Sequence, residues 1–394
     1  MSKCLQKHHP MPFSKSKRGM KWTQPAGMIL LAIVALLVIN GCAPQETGDE
    51  QENSTRIVQD MWGREVEIKE EVTSAVIIEW EGLAAKSMQI FGIQEMIVGV
   101  DDYAKKNTFR NHVVPVVGTV PDIGSAWSGV NYETLANLKP DVVFMELWVT
   151  NESEKELHSD AINKIEELGI PVITFLSPSC FEEPHIDTAW EHVRLVGEVF
   201  QKQEEAAALI QRMDEKVALI RSRTQGIEAA DKADVVIFAT MDNVMGTKSI
   251  QSYFLTEIIN ANNLIEGGDF VKISEEQLLK LDPDVLIIHG HDGYLDPAVV
   301  REGRQAGLNW GNVQHLQAIE NDRFISLGYE EWRATIETPV ALLKMAKTIY
   351  PELFEDIDLE AEEVNMYMQD YGMTREEALK AIEAQQYTAI VEVN

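Results

Sequence analysis

Between residues 74 and 175 the chain alternates two kinds of hydrophobic pattern. Short unbroken runs rich in Val and Ile, at 74–79, 96–100, 141–145 and 171–175, suit strands buried on both faces. Between them, apolar positions recur at helical spacing, as through Met88-Gln-Ile and over 153–168. This strict alternation predicts one parallel sheet covered by helices. A second alternation begins at 234, with strands at 234–240, 285–288 and 323–327 and helices at 252–260 and from Glu275; residues 339–350 and 360–371 close the chain as helices. Between the two lies 186–223, where Val193, Val196, Val199, Leu209, Met213, Val217 and Ile220 keep helical spacing, predicting a helix or two that link the halves.

The halves also share a motif. Glu133-Thr-Leu-Ala-Asn-Leu-Lys-Pro-Asp-Val and Glu276-Gln-Leu-Leu-Lys-Leu-Asp-Pro-Asp-Val place Glu, Leu, Leu, Pro and Asp at a constant offset of 143 residues. Each is a short amphipathic helix stopped by a proline, Pro140 or Pro283, and followed by a strand. The expected fold class is α/β: two lobes, each a parallel-rich sheet flanked by helices, joined by one long connecting helix, with a ligand cleft between them where strand ends open.

The first residues follow another pattern. Residues 28–39 are an unbroken apolar dozen, shorter than the roughly 20 residues that span a bilayer, preceded by Lys3, Lys7, Lys15, Lys17, Arg18 and Lys21. This is a signal peptide over 1–41, starting at Met1 or at Met20. Ile39-Asn-Gly-Cys42 resembles a bacterial lipobox, which implies that Cys42 carries lipid and anchors the protein outside the cell membrane. Residues 42–55 lack apolar periodicity and read as a tether. The expected domains are then an N-terminal lobe at 56–183, a connecting helix at 184–225, a C-terminal lobe at 226–372 and a helical extension at 373–394.

The chain carries 34 Lys and Arg against 64 Asp and Glu, a net charge of −30. Removing the leader and its six cations lowers this to −36, a surface that repels nucleic acid. Of three cysteines only Cys180 falls within the lobes, so no internal disulfide is expected, and without a Cys-His signature it reads as a structural thiol. No nucleophile elbow, P-loop, zincin helix or dinucleotide loop appears in strand-to-helix context, which argues against an enzyme.

Six segments make the resemblance specific: Arg56-Ile-Val-Gln-Asp-Met-Trp-Gly-Arg-Glu-Val, Gly92-Ile-Gln-Glu-Met-Ile-Val-Gly-Val, Asn131-Tyr-Glu-Thr-Leu-Ala-Asn-Leu-Lys-Pro-Asp, Leu168-Gly-Ile-Pro-Val, Leu195-Val-Gly-Glu-Val-Phe and the stretch 310–324. In this order they resemble the class III solute-binding proteins of iron-chelate, haem and cobalamin ABC importers. The resemblance implies a monomer that captures an iron(III) chelate or related metal complex (siderophore, haem or corrinoid), carries no cofactor of its own, and docks on a permease dimer with its ATPase. It also implies that Glu133 and Glu276 are the two surface acids, one per lobe, that meet permease arginines.

The residues just after strand ends are the candidates for the cleft: Trp80, Trp127, Trp148, Ser177, Met241, His289, His291, Tyr294, Tyr329, Trp332 and Arg333. The tryptophans suit stacking on a flat chelate, and Arg333 suits bidentate pairing with ligand oxygens. His289 and His291, with Glu79, Glu146 and Glu330 at strand ends, leave a bare metal ion open as an alternative, beside an oxyanion or a lipid-anchored sensor role.

Overall fold

A computed structural model describes residues 54–125, 127–240, 242–289, 294–328 and 330–387. The expected leader, Cys42 and nearly all of the expected tether lie outside this range. Among the described residues no helix is long and apolar enough to cross a membrane.

The N-terminal half opens with a hairpin, β1 (Thr55–Gln59) and β2 (Glu65–Lys69), whose alternate residues Val58, Val66 and Ile68 are buried. Its sheet contains β3 (Ala75–Ile78), β4 (Ile97–Val100), β5 (Val142–Leu147) and β6 (Val172–Leu176), all parallel, in the order β4-β3-β5-β6. The helices that matter for the site are α1 (Leu83–Ile90), α2 (Thr108–Val113), α3 (Tyr132–Leu138) and α4 (Glu152–Glu166).

The stretch expected as one connector at 184–225 is divided. Helix α5 (Asp187–Val199) ends before Gln201, which takes a left-handed φ of 56°, and α6 (Gln203–Thr224) turns back beside it. Trp190 Nε1 donates to Asp214 Oδ1 at 2.7 Å across this helical hairpin. The two helices approach so closely that a Cβ on Gly197 would sit 2.6 Å from the Cβ of Ala206. The connecting rod is therefore α6, whose 22 residues span about 33 Å.

The C-terminal half has β7 (Asp234–Phe238), β8 (Asn243–Met245), β9 (Phe270–Lys272), helix α7 (Glu275–Leu281), β10 (Val285–His289) and β11 (Phe324–Leu327), followed by α8 (Thr338–Ile349), α9 (Leu359–Asp370) and α10 (Arg375–Tyr387). Strands β7, β10 and β11 are parallel, but β8 pairs antiparallel with β7 and β9 antiparallel with β8. That antiparallel edge departs from the strict alternation: the run at 234–240 stops at Phe238, and the chain returns through Asn243 as a hairpin. The helix expected at 252–260 continues a short α-turn, Ile250–Tyr253, as a π-helix, Phe254–Ile259. Rod α6 packs on α8 and on this π-helix.

The two-residue period of strands decides how the core divides. Ala75, Ile77, Val142 and Phe144 on one face of the first sheet join Val235, Ile237, Val285 and Ile287 of the second in a single core, completed by residues of α5, α6, α8 and α9. The opposite faces make separate clusters. Val76, Ile78, Val143 and Met145 pack with Ile162 and Ile165 of α4, while Val236, Phe238, Leu286 and Ile288 pack with Trp310 and Val300. The duplicated motif keeps this phase, since Val142 and Val285, 143 residues apart, both face the shared core. Both copies also stop alike, with Lys139 (φ 48°) and Asp282 (φ 42°) in the left-handed region just before proline.

Candidate ligand cleft

Where the strand ends of the two sheets face each other, Glu81, Trp148, Ser177 and Pro178 from one half and Met245, Gln251, Asp269, Phe270, Trp332 and Arg333 from the other enclose a gap of about 30 Å³. Sequence reasoning reached Trp148, Ser177, Trp332 and Arg333. It missed Glu81, three residues past β3, Gln251, inside the helical turn at Ile250–Tyr253, and Asp269, just before β9, none of which carries a motif.

Arg333 is buried and spans both halves. Its guanidinium carbon lies 4.9 Å from the ring centre of Trp80, 5.7 Å from that of Tyr103 and 5.2 Å from that of Trp332, while Nη1 donates to Trp80 O at 2.7 Å. Trp80 itself stacks on Tyr103 at 4.2 Å. Cation–π contacts in so dry a place are worth about 2 kcal/mol, and they fix the guanidinium as a wall of the gap. The nearest acid, Glu81, has Oε2 3.8 Å from Nη1 and no hydrogen bond to that oxygen. Ser177 Oγ and Gln251 Oε1 are likewise buried without a hydrogen-bond partner, although both side chains line the gap. Buried polar atoms left in this way call for a partner, so the gap offers a solute two or three acceptor positions beside one guanidinium.

Below the gap runs a network of buried charges. Glu330 receives Lys86 Nζ at 3.1 Å, Arg110 Nε at 3.2 Å and Asn107 Nδ2 at 3.0 Å, and Lys86 also reaches Glu337 Oε2 at 2.8 Å. Burial alone would raise the Glu330 carboxyl, but Arg110 and Lys86 outweigh it and hold it at about 2. The bare-ion alternative counted Glu330 as a ligand; here its oxygens are committed to the cations of the other half. Glu79 is committed too, and Glu146 through one oxygen only, its Oε1 being buried without a hydrogen-bond partner. Glu79 accepts from Ala84 N and Ala85 N at the start of α1, and Glu146 Oε2 accepts from Trp80 N at 2.7 Å and Glu81 N at 2.8 Å. Burial pushes both carboxyls up, Glu146 furthest because Glu81 adds like charge. Among the described residues no group of three or more His, Cys, Asp or Glu is arranged to hold a metal ion.

The backbone makes room for this network at Gly82, which has φ 75° and where a Cβ would sit 2.4 Å from Arg110 Nε. Arg110 in turn donates to the carbonyls of Glu79 and Trp80, so the turn after β3 is pinned to α2.

The remaining candidates scatter. Trp127 lies on the surface, 56 % exposed, with its ring edge-on to His158 at 5.3 Å. Tyr294 is half-buried. Met241, His291, Tyr329 and the side chain of His289 lie outside the described residues. Cys180 accepts from Val149 N at 3.1 Å, and burial lifts its thiol to about 11, which suits a structural role. Glu133 and Glu276 are both exposed, and each is the second residue of its helix, α3 or α7.

Two sheets facing across a cleft, tied by the long helix α6, define a solute-binding architecture, and residues 79–330 match the periplasmic binding protein family. The chain belongs to that family. It is 28 % identical over 344 residues to the molybdate-binding protein MolA of Haemophilus influenzae, covering 81 % of this chain and 91 % of MolA. It is 23 % identical over 347 residues to the uncharacterized ABC transporter substrate-binding lipoprotein YvrC of Bacillus subtilis, covering 84 % and 99 %. Among solved structures, a periplasmic solute binding protein from Veillonella parvula superposes with a TM-score of 0.70 at 22 % identity, over 84 % of this chain and 97 % of that one.

Proposed function

We propose that the chain is the solute-binding lipoprotein of an ABC importer. It is anchored outside the cell membrane through Cys42, captures a metal complex, foremost an iron(III) chelate, between its lobes, and presents Glu133 and Glu276 to the permease. The observation that carries this reading is the gap in which Trp148 of one half meets Trp332 and Arg333 of the other. A gap of about 30 Å³ has room for only about two waters, so an edge of the chelate enters it and the body rests against the rim. Arg333 suits the carboxylate, catecholate or hydroxamate oxygens of such an edge. Surface carboxylates repeated on two lobes suit a dimer of related permease subunits, where charge complementarity sets register and encounter rate.

Tryptophan fluorescence of the purified protein, titrated with ferric citrate, ferric hydroxamates, haem, cobalamin and molybdate, tests this. Saturable quenching by a ferric chelate or another of the metal complexes is expected. Saturation by molybdate alone would assign the cleft to an oxyanion instead.

A further inference from the structure

The C-terminal helix α10 extends past the helix that completes the second half, and its buried side chains account for its position. A reciprocal cap starts it: Thr374 N donates to Glu377 Oε2 at 2.8 Å and Glu377 N donates to Thr374 Oγ1 at 3.3 Å. Ala378, Ala381 and Gln385, spaced by three and four, form one buried stripe. That stripe lies against α2 of the N-terminal half and α9 of the C-terminal half. Glu377 O is 3.3 Å from His112 Nε2 on the α2 side, while Tyr367 of α9 meets Phe109 of α2 edge-on at 6.3 Å.

Its far end reaches the cleft segment. Gln385 Oε1 accepts from Glu330 N at 3.0 Å, and the approach is so close that a Cβ on Gly328 would sit 2.9 Å from the Cβ of Gln385. Residues 330–337 follow directly and carry Trp332 and Arg333, two walls of the gap. Glu330 is thus held twice, by its carboxylate from Lys86 and Arg110 and by its main chain from α10.

We propose that α10 is the size-selecting element of the cleft. Gln385 positions the segment that bears Trp332 and Arg333, and the α2–α10–α9 bridge holds the two halves at a spacing that admits only a small part of a solute. This rests on the reading of the gap as the solute site. Removing the bridge takes away one of the ties between the halves while the Glu330 network and α6 remain, and freeing Glu330 N lets the Trp332 wall move, so larger solutes gain entry.

Two variants test it, Gln385→Ala and a chain ending at Met373, each made in the mature protein. Amide exchange measured without any solute should speed about fivefold to tenfold or more at residues 330–337 and in α2, with α7 amides unchanged. Haem, whose body stays at the rim in the wild type, should quench tryptophan fluorescence more strongly in the variants, while molybdate quenching should not rise in parallel. If the shorter chain fails to fold, Gln385→Ala decides, since it removes one side chain and leaves the rest of α10 in place. Unchanged exchange at 330–337, or a loss of protection spread evenly over the protein, would overturn the positioning role. A haem-to-molybdate response that stays fixed would overturn size selection. Because exchange is read without solute, faster exchange in a protein that binds none of the probes would sink the importer reading alone.

Discussion

The two halves repeat one motif and use it for opposite electrostatic ends. In the N-terminal half the strand ends bury Glu79, Glu81, Glu146 and Asp101, and burial raises every one of these carboxyls, Asp101 to about 7. In the C-terminal half the matching region buries Glu330, and the cations that face it across the interface hold it at about 2. The N-terminal half supplies both the surplus of acid and the two cations, Lys86 and Arg110, that neutralise the other half's glutamate. The repeated motif therefore places Glu133 and Glu276 alike on the outer surface, whereas the cleft is asymmetric.

Cutting the link between the halves should have the largest effect. Glu330→Ala leaves Lys86 and Arg110 buried with weakened pairing, and removing one partner of such a network costs about 3 to 5 kcal/mol. The urea midpoint should fall accordingly, and an unchanged midpoint would show that the two halves do not depend on this link. Next come the two tryptophans of the gap. Trp148→Ala and Trp332→Ala should each weaken chelate binding by about 1 to 3 kcal/mol in a fluorescence or calorimetric titration. A loss confined to one of them would show that the solute rests on one half only.

The contrast in carboxyl behaviour predicts opposite pH responses. Asp101 is raised in the folded state, so the folded protein binds its proton more tightly than the unfolded chain. Its contribution to stability is present at low pH and is lost as pH rises from about 4 through about 7. Glu330 is lowered, so its contribution is present above about 4.5 and is lost as pH falls toward about 2. Asp101→Asn should remove up to about 1 kcal/mol per pH unit from the slope between pH 5 and 7, read by denaturant melts at several pH values. Glu330→Gln should leave that window unaltered and flatten the acid side. Identical profiles for the two variants would erase the distinction between the halves.

What the residues alone made legible follows from period and punctuation. Unbroken β-branched runs marked β3, β5, β6 and β10, and Pro140 and Pro283 marked where α3 and α7 stop. The pattern could not show that 184–225 folds back, because a break at Gln201 with no proline nearby leaves helical spacing intact on both sides. Nor could it show β8 and β9, short edge strands bounding a hairpin. At the cleft, large aromatic residues after strand ends were visible, but Glu81, Gln251 and Asp269 were not. Packing alone brings them to the gap, where Glu81 Oε2 and Gln251 Oε1 are left without a partner. Trp127 illustrates the converse: it follows the same local rule and ends on the surface.

The smallest effect on the isolated protein is expected from the most alike pair. Glu133 and Glu276 are exposed at the second position of their helices, where a carboxylate interacts with the helix dipole for about 0.3 to 1 kcal/mol. Reversing either to Lys should change unfolding free energy by no more than about 1 kcal/mol and leave chelate affinity unaltered. In reconstituted transport the proposed docking predicts that each single reversal slows uptake and that Glu133→Lys with Glu276→Lys abolishes it, because each lobe would then present like charge to a permease arginine. If the pair acts only through the helix termini, the double variant will transport normally with two small stability losses that add. If instead one reversal alone abolishes uptake and the other does nothing, the clamp is one-sided, and the surface symmetry inherited from the duplicated motif has no role in docking.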